Sequence, residues 1–212
     1  MTVRQLARCP SGRSQRILIP NDLNVRDAPT TPMDPTEILQ RYCDSGSETY
    51  RILVAHGEQV AAKALEASEA VKHLRPDADL IRRGALLHDI GMLKTNVPEL
   101  DCHGDEPYIR HGVIGRQMLE DMGLTAEALI CERHVGAGIS ADEICSKRLP
   151  LPKRNLLPVT IEEQIICYAD KFFSKSKNRR DSAKSPRMIL RHLAQHGDGQ
   201  VSRFQAWMQM FG

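Results

Sequence analysis

Aromatic residues and long apolar runs are scarce in this sequence. Aromatic side chains make up only 4% of the 212 residues, although 41% of the chain is apolar and 26% is charged. No segment approaches the roughly 18 consecutive apolar residues that a membrane-spanning helix requires, and the N-terminus lacks the apolar core of a secretory signal. We therefore expect a protein of the cytoplasm that has no membrane partner.

A large excess of one charge is also missing. The formal net charge is +2, which is too small to indicate binding to long nucleic acids. The cysteines form no C-x-x-C pair, so the sequence indicates neither a zinc ribbon nor a disulfide framework. We expect reduced thiols at the six positions, which are Cys9, Cys43, Cys102, Cys131, Cys145 and Cys167.

The alternating pattern of half-buried strands is missing as well, and the predicted fold class is all-α. Residues 1–33 mix polar residues and prolines without a sustained period, and we expect a poorly ordered N-terminal tail there. Asp34 and Pro35 form a typical helix start, so a single domain is expected over residues 34–212. A chain of this length can bury a sizeable core.

Capping patterns predict where two of the helices begin. Ser45 and Glu48 form a capping-box pattern ahead of a long helix that runs to about residue 73. Thr160 and Glu163 repeat the pattern ahead of a later helix.

Two segments, residues 92–106 and 136–159, are predicted to be loops because no helical period continues through them. The second segment is basic, and it is either the rim of an active site or an ordinary solvated loop. Its basic residues are Lys147, Arg148, Lys153 and Arg154.

A histidine and an aspartate, His88 and Asp89, stand side by side in the apolar run of residues 84–91. Burying both without a partner charge is costly, and a bound divalent cation would satisfy both at once. For the dipeptide alone, a His–Asp pair at the end of a core helix explains the pattern equally well. The rest of the chain supplies further residues of the same chemistry on or beside apolar helix faces: His56, His111, His134 and Asp170.

Each of these histidines, taken alone, is better explained as a core histidine than as a ligand. Together the candidate ligands lie on five consecutive predicted helices, which suits side chains that converge in the core of a helical bundle. Mixed imidazole and carboxylate donors favour a divalent transition metal, namely Fe, Mn, Co, Ni or Zn, over calcium or a solitary magnesium ion.

This ordered set of residues resembles the HD-domain superfamily of metal-dependent phosphohydrolases. Residues 88–91 have the HDIG form of its signature, and the similarity extends from about residue 45 to residue 212, including the Tyr-Ala-Asp-Lys segment at 168–171. The resemblance implies an HD-domain helical bundle with a metal site in its core. It also implies two metals per chain, the first held by His56, His88, Asp89 and Asp170, and the second by His111 and His134 with Asp89 as the bridge.

The resemblance further implies a phosphomonoesterase or phosphodiesterase that acts on a nucleotide or another small phosphate ester through a metal-activated bridging hydroxide. Two cations roughly 3.5–4 Å apart can activate water at neutral pH and clamp a phosphoryl group. Asp89, as the bridge, and Lys94 are the candidate catalytic residues. Five basic residues are candidates for binding the phosphate, with an ordinary surface base as the alternative for each: Arg110, Arg133, Lys153, Arg154 and Lys171.

Two other functions stay open at this stage. HD-fold oxygenases hold a di-iron centre with the same ligand order, and a non-catalytic module could sense a nucleotide, although the complete ligand set argues against that role. The residues after His134 lack the Tyr-Pro of the cyclic-di-GMP phosphodiesterase branch, which argues against that substrate. The sequence also leaves open the exact substrate, the metal and a homodimer.

Removing residues 1–32 should leave the fold and the activity intact, because this tail lacks the periodicity of a packed element. A chain that begins at Met33 is expected to keep the melting temperature and the activity of the full-length chain. A drop of many degrees in melting temperature, or a loss of activity, would show that the tail packs against the domain.

Overall fold

The computed structural model describes residues 33–175 and 183–212, which are mainly helical. The α-helices are α1 (Pro35–Gln40), α2 (Glu48–Ala70), α3 (Ala78–Leu87), α4 (His111–Glu120), α5 (Thr125–Arg133), α6 (Ala141–Ser146), α7 (Ile161–Asp170), α8 (Pro186–Ala194) and α9 (Asp198–Phe211). Two short strands, β1 (Asn96–Val97) and β2 (Cys102–His103), pair in antiparallel fashion. The all-α prediction is confirmed. The predicted tail lies, except for Met33, outside the described residues.

None of the helices in the two described ranges combines the length and the apolar character that crossing a membrane requires.

Side-chain caps fix the starts of several helices. Asp34 caps α1 and Thr160 caps α7, both as predicted. The predicted start of α2 at Ser45 is wrong, because Ser47 is the cap. The backbone N–H of Ser47 donates to the carbonyl oxygen of Asp44 at 2.9 Å. Ser45 lies inside this turn, so the helix begins only after the turn has ended.

Both predicted loops contain short regular elements. Residues 92–106 include a 3₁₀ turn at Pro98–Leu100 and the pair β1–β2. In residues 136–159, α6 begins with a capping box between Ser140 and Glu143. Strands of two residues are too short to produce an alternating pattern, which explains why the sequence did not indicate them.

Two apolar clusters make up most of the core of the described residues, and α2 contributes to both. Its first half packs Ile52 and Leu53 into a cluster with α1, α4 and the residues that follow α3. Its second half packs Val60 and Ala64 into a cluster with α7, α8 and α9. His56 lies along α2 between Leu53 and Val60 and is buried. The packing of α2 therefore places this histidine at the boundary between the two clusters.

Gly91 and Gly115 allow the segment after α3 to lie directly against α4. A Cβ atom at Gly91 would collide with the backbone of His111 and Gly115, and one at Gly115 would collide with the sulfur of Cys131. Only a residue without a side chain leaves room for this approach. The approach holds the start of α4 close to residues 88–89.

Gly115→Ala should destabilise the domain, because the added methyl group must displace α4 or Cys131. Overpacking of this kind costs about 1–3 kcal/mol, which corresponds to a decrease of about 3–10 °C in melting temperature for a domain of this size. Gly46→Ala is the matched control, because a Cβ atom added there would lie 3.6 Å from its nearest neighbour, a side-chain oxygen of Asp44. Thermal unfolding followed by circular dichroism measures both. Equal melting temperatures for Gly115→Ala and the wild type would contradict the tight contact.

Candidate metal centre

The six predicted metal ligands lie together in the structure, and each of them is buried. His56 comes from the middle of α2, whereas the other five come from helix ends. These are His88 and Asp89 directly after α3, His111 at the start of α4, His134 directly after α5 and Asp170 at the end of α7. The centre is thus built where helices from different parts of the chain terminate.

The six side chains form two groups that share Asp89, and the candidate ligand atoms within each group lie within 4.8 Å of one another. Oδ1 of Asp89 lies 3.4 Å from Nε2 of both His111 and His134. Oδ2 of Asp89 lies 3.4 Å from Nε2 of His56 and 3.0 Å from Nε2 of His88. The two oxygens therefore face different groups, as those of a bridging carboxylate would.

Backbone carbonyls fix the ring orientation of three histidines. In each of them Nδ1 lies 2.7 Å from the carbonyl oxygen three residues earlier, and Nδ1 carries the proton because a carbonyl can only accept. In the neutral ring Nε2 then presents its lone pair to the centre, an arrangement typical of metal-ligating histidines. The hydrogen bonds run from His88 to Ala85, from His111 to Tyr108 and from His134 to Cys131.

The contact between His111 and His134 indicates that a cation belongs between these rings. Their Nε2 atoms lie only 3.0 Å apart, and both are acceptors because both Nδ1 atoms carry the proton. Burial, with the neighbouring His134, lowers the pKa of His111 to about 3. Burial also lowers the pKa of His134.

Neither ring therefore gains a bridging proton at neutral pH. Oδ1 of Asp89 is buried nearby, and it has no well-formed hydrogen bond within the described part of the chain. One divalent cation would satisfy all three atoms, so the residues present fit a metal ion.

The other group combines two carboxylates with two imidazoles. Oδ1 of Asp170 lies 2.9 Å from Nε2 of His56 and 3.5 Å from Nε2 of His88. Burial would raise the pKa of Asp89 and of Asp170, but neighbouring positive charges hold both pKa values well below the ordinary range. The centre therefore holds two ionised carboxylates that attract a cation.

The pKa values of the two histidines in this group are shifted in opposite directions. Burial lowers the pKa of His56 to about 4. At His88 burial acts in the same direction, but the carboxylates of Asp89 and Asp170 outweigh it and raise the pKa to about 9. A bound cation would take the place of that proton on Nε2, since a metal-ligating histidine must be neutral.

Two lysines just after α7 reach the carboxylates of the centre. Nζ of Lys171 lies 2.7 Å from Oδ2 of Asp170 and donates to the carbonyl oxygen of His134 at 3.0 Å. Nζ of Lys175 lies 2.7 Å from Oδ2 of Asp89. The sequence indicated Lys171 but missed Lys175, which stands at the start of a Lys/Arg/Ser-rich run that resembles a linker. Its position shortly after a predicted ligand was the one available signal.

A cavity of about 760 Å³ adjoins the centre, and His111, His134 and Asp170 form part of its wall. The lysines in the wall are Lys147, Lys171, Lys175 and Lys184. Apolar residues form much of the remaining wall, among them Val135, Ile139, Leu149, Phe173, Ile189 and Leu193. The cavity thus combines positive charge with apolar surface beside the candidate ligands.

Lys94 and Lys153 are exposed and are not among the residues that line this cavity. The 3₁₀ turn Ile90–Lys94 leads the chain from the buried Asp89 to the surface. Proximity in sequence to the His–Asp pair is therefore a poor guide to the position of Lys94, and its predicted catalytic role gains no support from this placement. The same holds for substrate binding by Lys153.

The three arginines predicted to bind substrate pair with carboxylates and do not line the cavity. The pairs are Arg110 with Glu106, Arg133 with Glu163 and Arg154 with Glu132. Glu132 and Glu163 are buried, and a buried carboxylate requires a partner charge. Glu163 also accepts from the backbone of Val159, which is why it does not close the predicted capping box with Thr160. Substrate binding by these arginines stays a prediction without support from their contacts.

Metal content should separate ligands from core histidines. His111→Ala or His134→Ala should lower the bound metal from about two ions per chain toward one, and Asp89→Ala should remove both because it removes the bridge. His103→Ala is the matched control, since this histidine is exposed. Elemental analysis of the dialysed proteins measures the outcome. Unchanged metal content in the His111 and His134 variants, with lower stability alone, would show that both are core histidines.

Known proteins resemble the chain over most of the domain. A protein of Methanocaldococcus jannaschii that is described only as uncharacterised is 39% identical over 143 residues, which cover 66% of this chain and 73% of that protein. No solved structure matches the chain.

Two similar proteins are each named tRNA (cytidine(56)-2′-O)-methyltransferase. The one from Picrophilus torridus is 33% identical over 127 residues, covering 59% of this chain and 33% of that protein. The one from Thermoplasma volcanium is 32% identical over 170 residues, covering 79% of this chain and 41% of that protein. The chain thus spans less than half the length of each methyltransferase.

The profile of the HD domain matches residues 53–174, which is more than half of the chain. The matched range contains all six candidate ligands, including the His–Asp pair after α3 from which such a domain takes its name. With its helical fold and its buried cluster of histidines and aspartates, the chain belongs to the HD-domain family.

Proposed function

We propose that this chain is a metal-dependent phosphohydrolase that acts on a nucleotide or another small phosphate ester. Membership of the HD-domain family suggests a metal-dependent, hydrolase-like activity in general. The observation that carries the finer proposal is the position of Asp89, whose two oxygens face two separate groups of buried ligands. Two adjacent divalent cations are suited to phosphoryl transfer because they can engage the attacking and the leaving oxygens together.

The proposed ligand roles follow the two groups. One cation would be held by His56, His88, Asp89 and Asp170, and the second by Asp89, His111 and His134. These imidazole and carboxylate donors suit Fe, Mn, Co, Ni or Zn. The carbonyl hydrogen bonds at Nδ1 keep three of the four rings in the tautomer that such a site needs.

The cavity wall would bind the substrate. Lys171 and Lys175 place two ammonium groups beside the carboxylates of the centre, where they suit the charge of a phosphate. The apolar residues of the wall suit an organic group such as a nucleobase. The volume of about 760 Å³ lies within the range of about 300–1,000 Å³ that small-molecule sites occupy. We propose these two lysines as the phosphate-binding residues, in preference to Lys94 and the paired arginines.

The two methyltransferase relatives make ribonucleotides a reasonable first choice of substrate. Each is named for the 2′-O-methylation of a cytidine in tRNA, and each shares only part of its length with this chain. The proposal does not include methyl transfer, because the match covers less than half of each methyltransferase and the buried histidines and aspartates suit a metal ion. The link to an RNA-modifying enzyme nevertheless suggests nucleotides before sugar phosphates.

The test is phosphate release from a panel of nucleotides and small phosphate esters by the full-length chain. With Mn²⁺ or Co²⁺ added, hydrolysis of at least one ester should proceed in the absence of O₂. Asp89→Ala should reduce it to background, because both ligand groups lose their shared carboxylate. Asp142→Ala should leave it unchanged, since this acid is exposed on α6.

HD-fold oxygenases share the ligand order, and they need iron and O₂. Turnover that requires both, with no phosphate released from any ester of the panel, would contradict the proposal and support the oxygenase.

A further inference from the structure

Each carboxylate of the centre has its own lysine, but the two lysines contact their carboxylates differently. At Asp170 the two oxygens are divided: Oδ1 faces His56 at 2.9 Å, and Oδ2 pairs with Lys171 at 2.7 Å. The oxygen that faces the ligand group is therefore separate from the one that Lys171 holds. Lys171 also donates to the carbonyl oxygen of His134, which ties the end of α7 to the end of α5.

At Asp89 no such division exists. Oδ1 faces His111 and His134, and Oδ2 faces His88 at 3.0 Å. Nζ of Lys175 lies 2.7 Å from that same Oδ2. Both oxygens of this carboxylate thus face candidate ligands, and the ammonium group shares one of them with a ligand group.

We propose that Lys175 competes with a divalent cation for Oδ2 of Asp89 and that, once a cation holds this oxygen, its ammonium group binds the phosphate of the substrate in the adjoining cavity. The inference rests on the proposed phosphohydrolase function.

Electrostatics requires the competition. A cation on Oδ2 would lie within a few ångströms of Nζ, because metal–oxygen bonds to carboxylates measure about 2.0–2.2 Å. The side chain of Lys175 is only 14% exposed and that of Asp89 only 2%, so little water would screen the two positive charges from each other. Lys175 therefore weakens cation binding as long as it stays on Asp89, and it has to leave when the cation binds.

The cavity is the place to which Lys175 can move. The residue lines this cavity together with Lys171, His111 and His134. The lysine stem is flexible, with four carbons between the backbone and the charge, so Nζ can move several ångströms without a change of the backbone. A phosphate bound near the centre would offer the displaced ammonium group a new partner. The bound phosphate would then stabilise the displaced position of Lys175, and Lys175 would strengthen phosphate binding.

The test compares Lys175→Met with Lys171→Met in the full-length chain, using Mn²⁺ alone and then inorganic phosphate as probes. Calorimetric titration of the chelator-treated protein gives the Mn²⁺ affinity, and titration with phosphate at saturating Mn²⁺ gives the phosphate affinity. Lys175→Met should strengthen Mn²⁺ binding about fivefold or more, since a competing charge is removed. It should weaken phosphate binding about tenfold, since a charged hydrogen bond is lost.

Lys171→Met should have the opposite effect on the metal. Without its lysine, Asp170 loses the contact that orients it, and Mn²⁺ affinity should fall about tenfold or more. A purely structural role for Lys175 would lower both affinities, whereas the proposal requires the two to change in opposite directions. Neither measurement needs turnover, so the result stands apart from the ester panel.

Any of three results would overturn the inference. The first is unchanged or weaker Mn²⁺ binding by Lys175→Met, and the second is phosphate binding that is not weakened. If Lys175→Met fails to melt cooperatively, Lys175→Gln takes its place with the same expected signs. The third is a failure of both variants to fold, because the ion pair would then be a structural requirement that cannot open.

Discussion

The ionised carboxylate of Asp89 is the group on which the rest of the centre depends. The residue is only 2% exposed, and a buried carboxylate is costly unless positive charge or donors surround it. The fold brings residues from α2, from the start of α4 and from the end of α5 to within 3.4 Å of its two oxygens. Positive charge comes from Lys175 and His88, at 2.7 and 3.0 Å from Oδ2, whereas the Nε2 atoms of His111 and His134 face Oδ1 as acceptors, a contact that a cation between them would make favourable. Helices from separate parts of the chain have to meet at this residue. The need to surround the Asp89 carboxylate therefore constrains both the arrangement of the helices and the chemistry of the centre.

Helix ends provide the means by which the histidines reach Asp89. The last carbonyls of an α-helix have no partner within the helix. His88 and His134 follow α3 and α5, and their rings use such carbonyls, from Ala85 and Cys131, as acceptors for Nδ1. A single hydrogen bond thus satisfies an unpaired carbonyl and sets the tautomer of the ring. Turning either ring away would break this hydrogen bond. The backbone therefore holds the two rings in their orientation before a metal ion binds.

The candidate ligands could be predicted because each of them interrupts an apolar pattern, which is a local property of the sequence. The partners of the charged residues could not, because their contacts join distant parts of the chain. Arg133 forms an ion pair with Glu163, and Arg154 forms one with Glu132. Lys175 pairs with Asp89, which lies in the first half of the domain. A local ambiguity explains why the predicted start of α2 was wrong. Two serines stood two positions apart before α2, and only the turn that precedes the helix decides between them.

The balance of charges in the centre links metal binding to anion binding. Two buried carboxylates pair with two largely covered ammonium groups, so the carboxylates and the lysines together carry no excess of negative charge. Each cation that enters leaves the pocket with a net positive charge, which is costly at low dielectric. The phosphate that we propose for the adjoining cavity would lower that cost, and by linkage a bound cation would then strengthen phosphate binding by the same factor. A site with more carboxylates would hold its cations firmly without a substrate. With the balance of charges seen here, we expect cation and anion to stabilise each other.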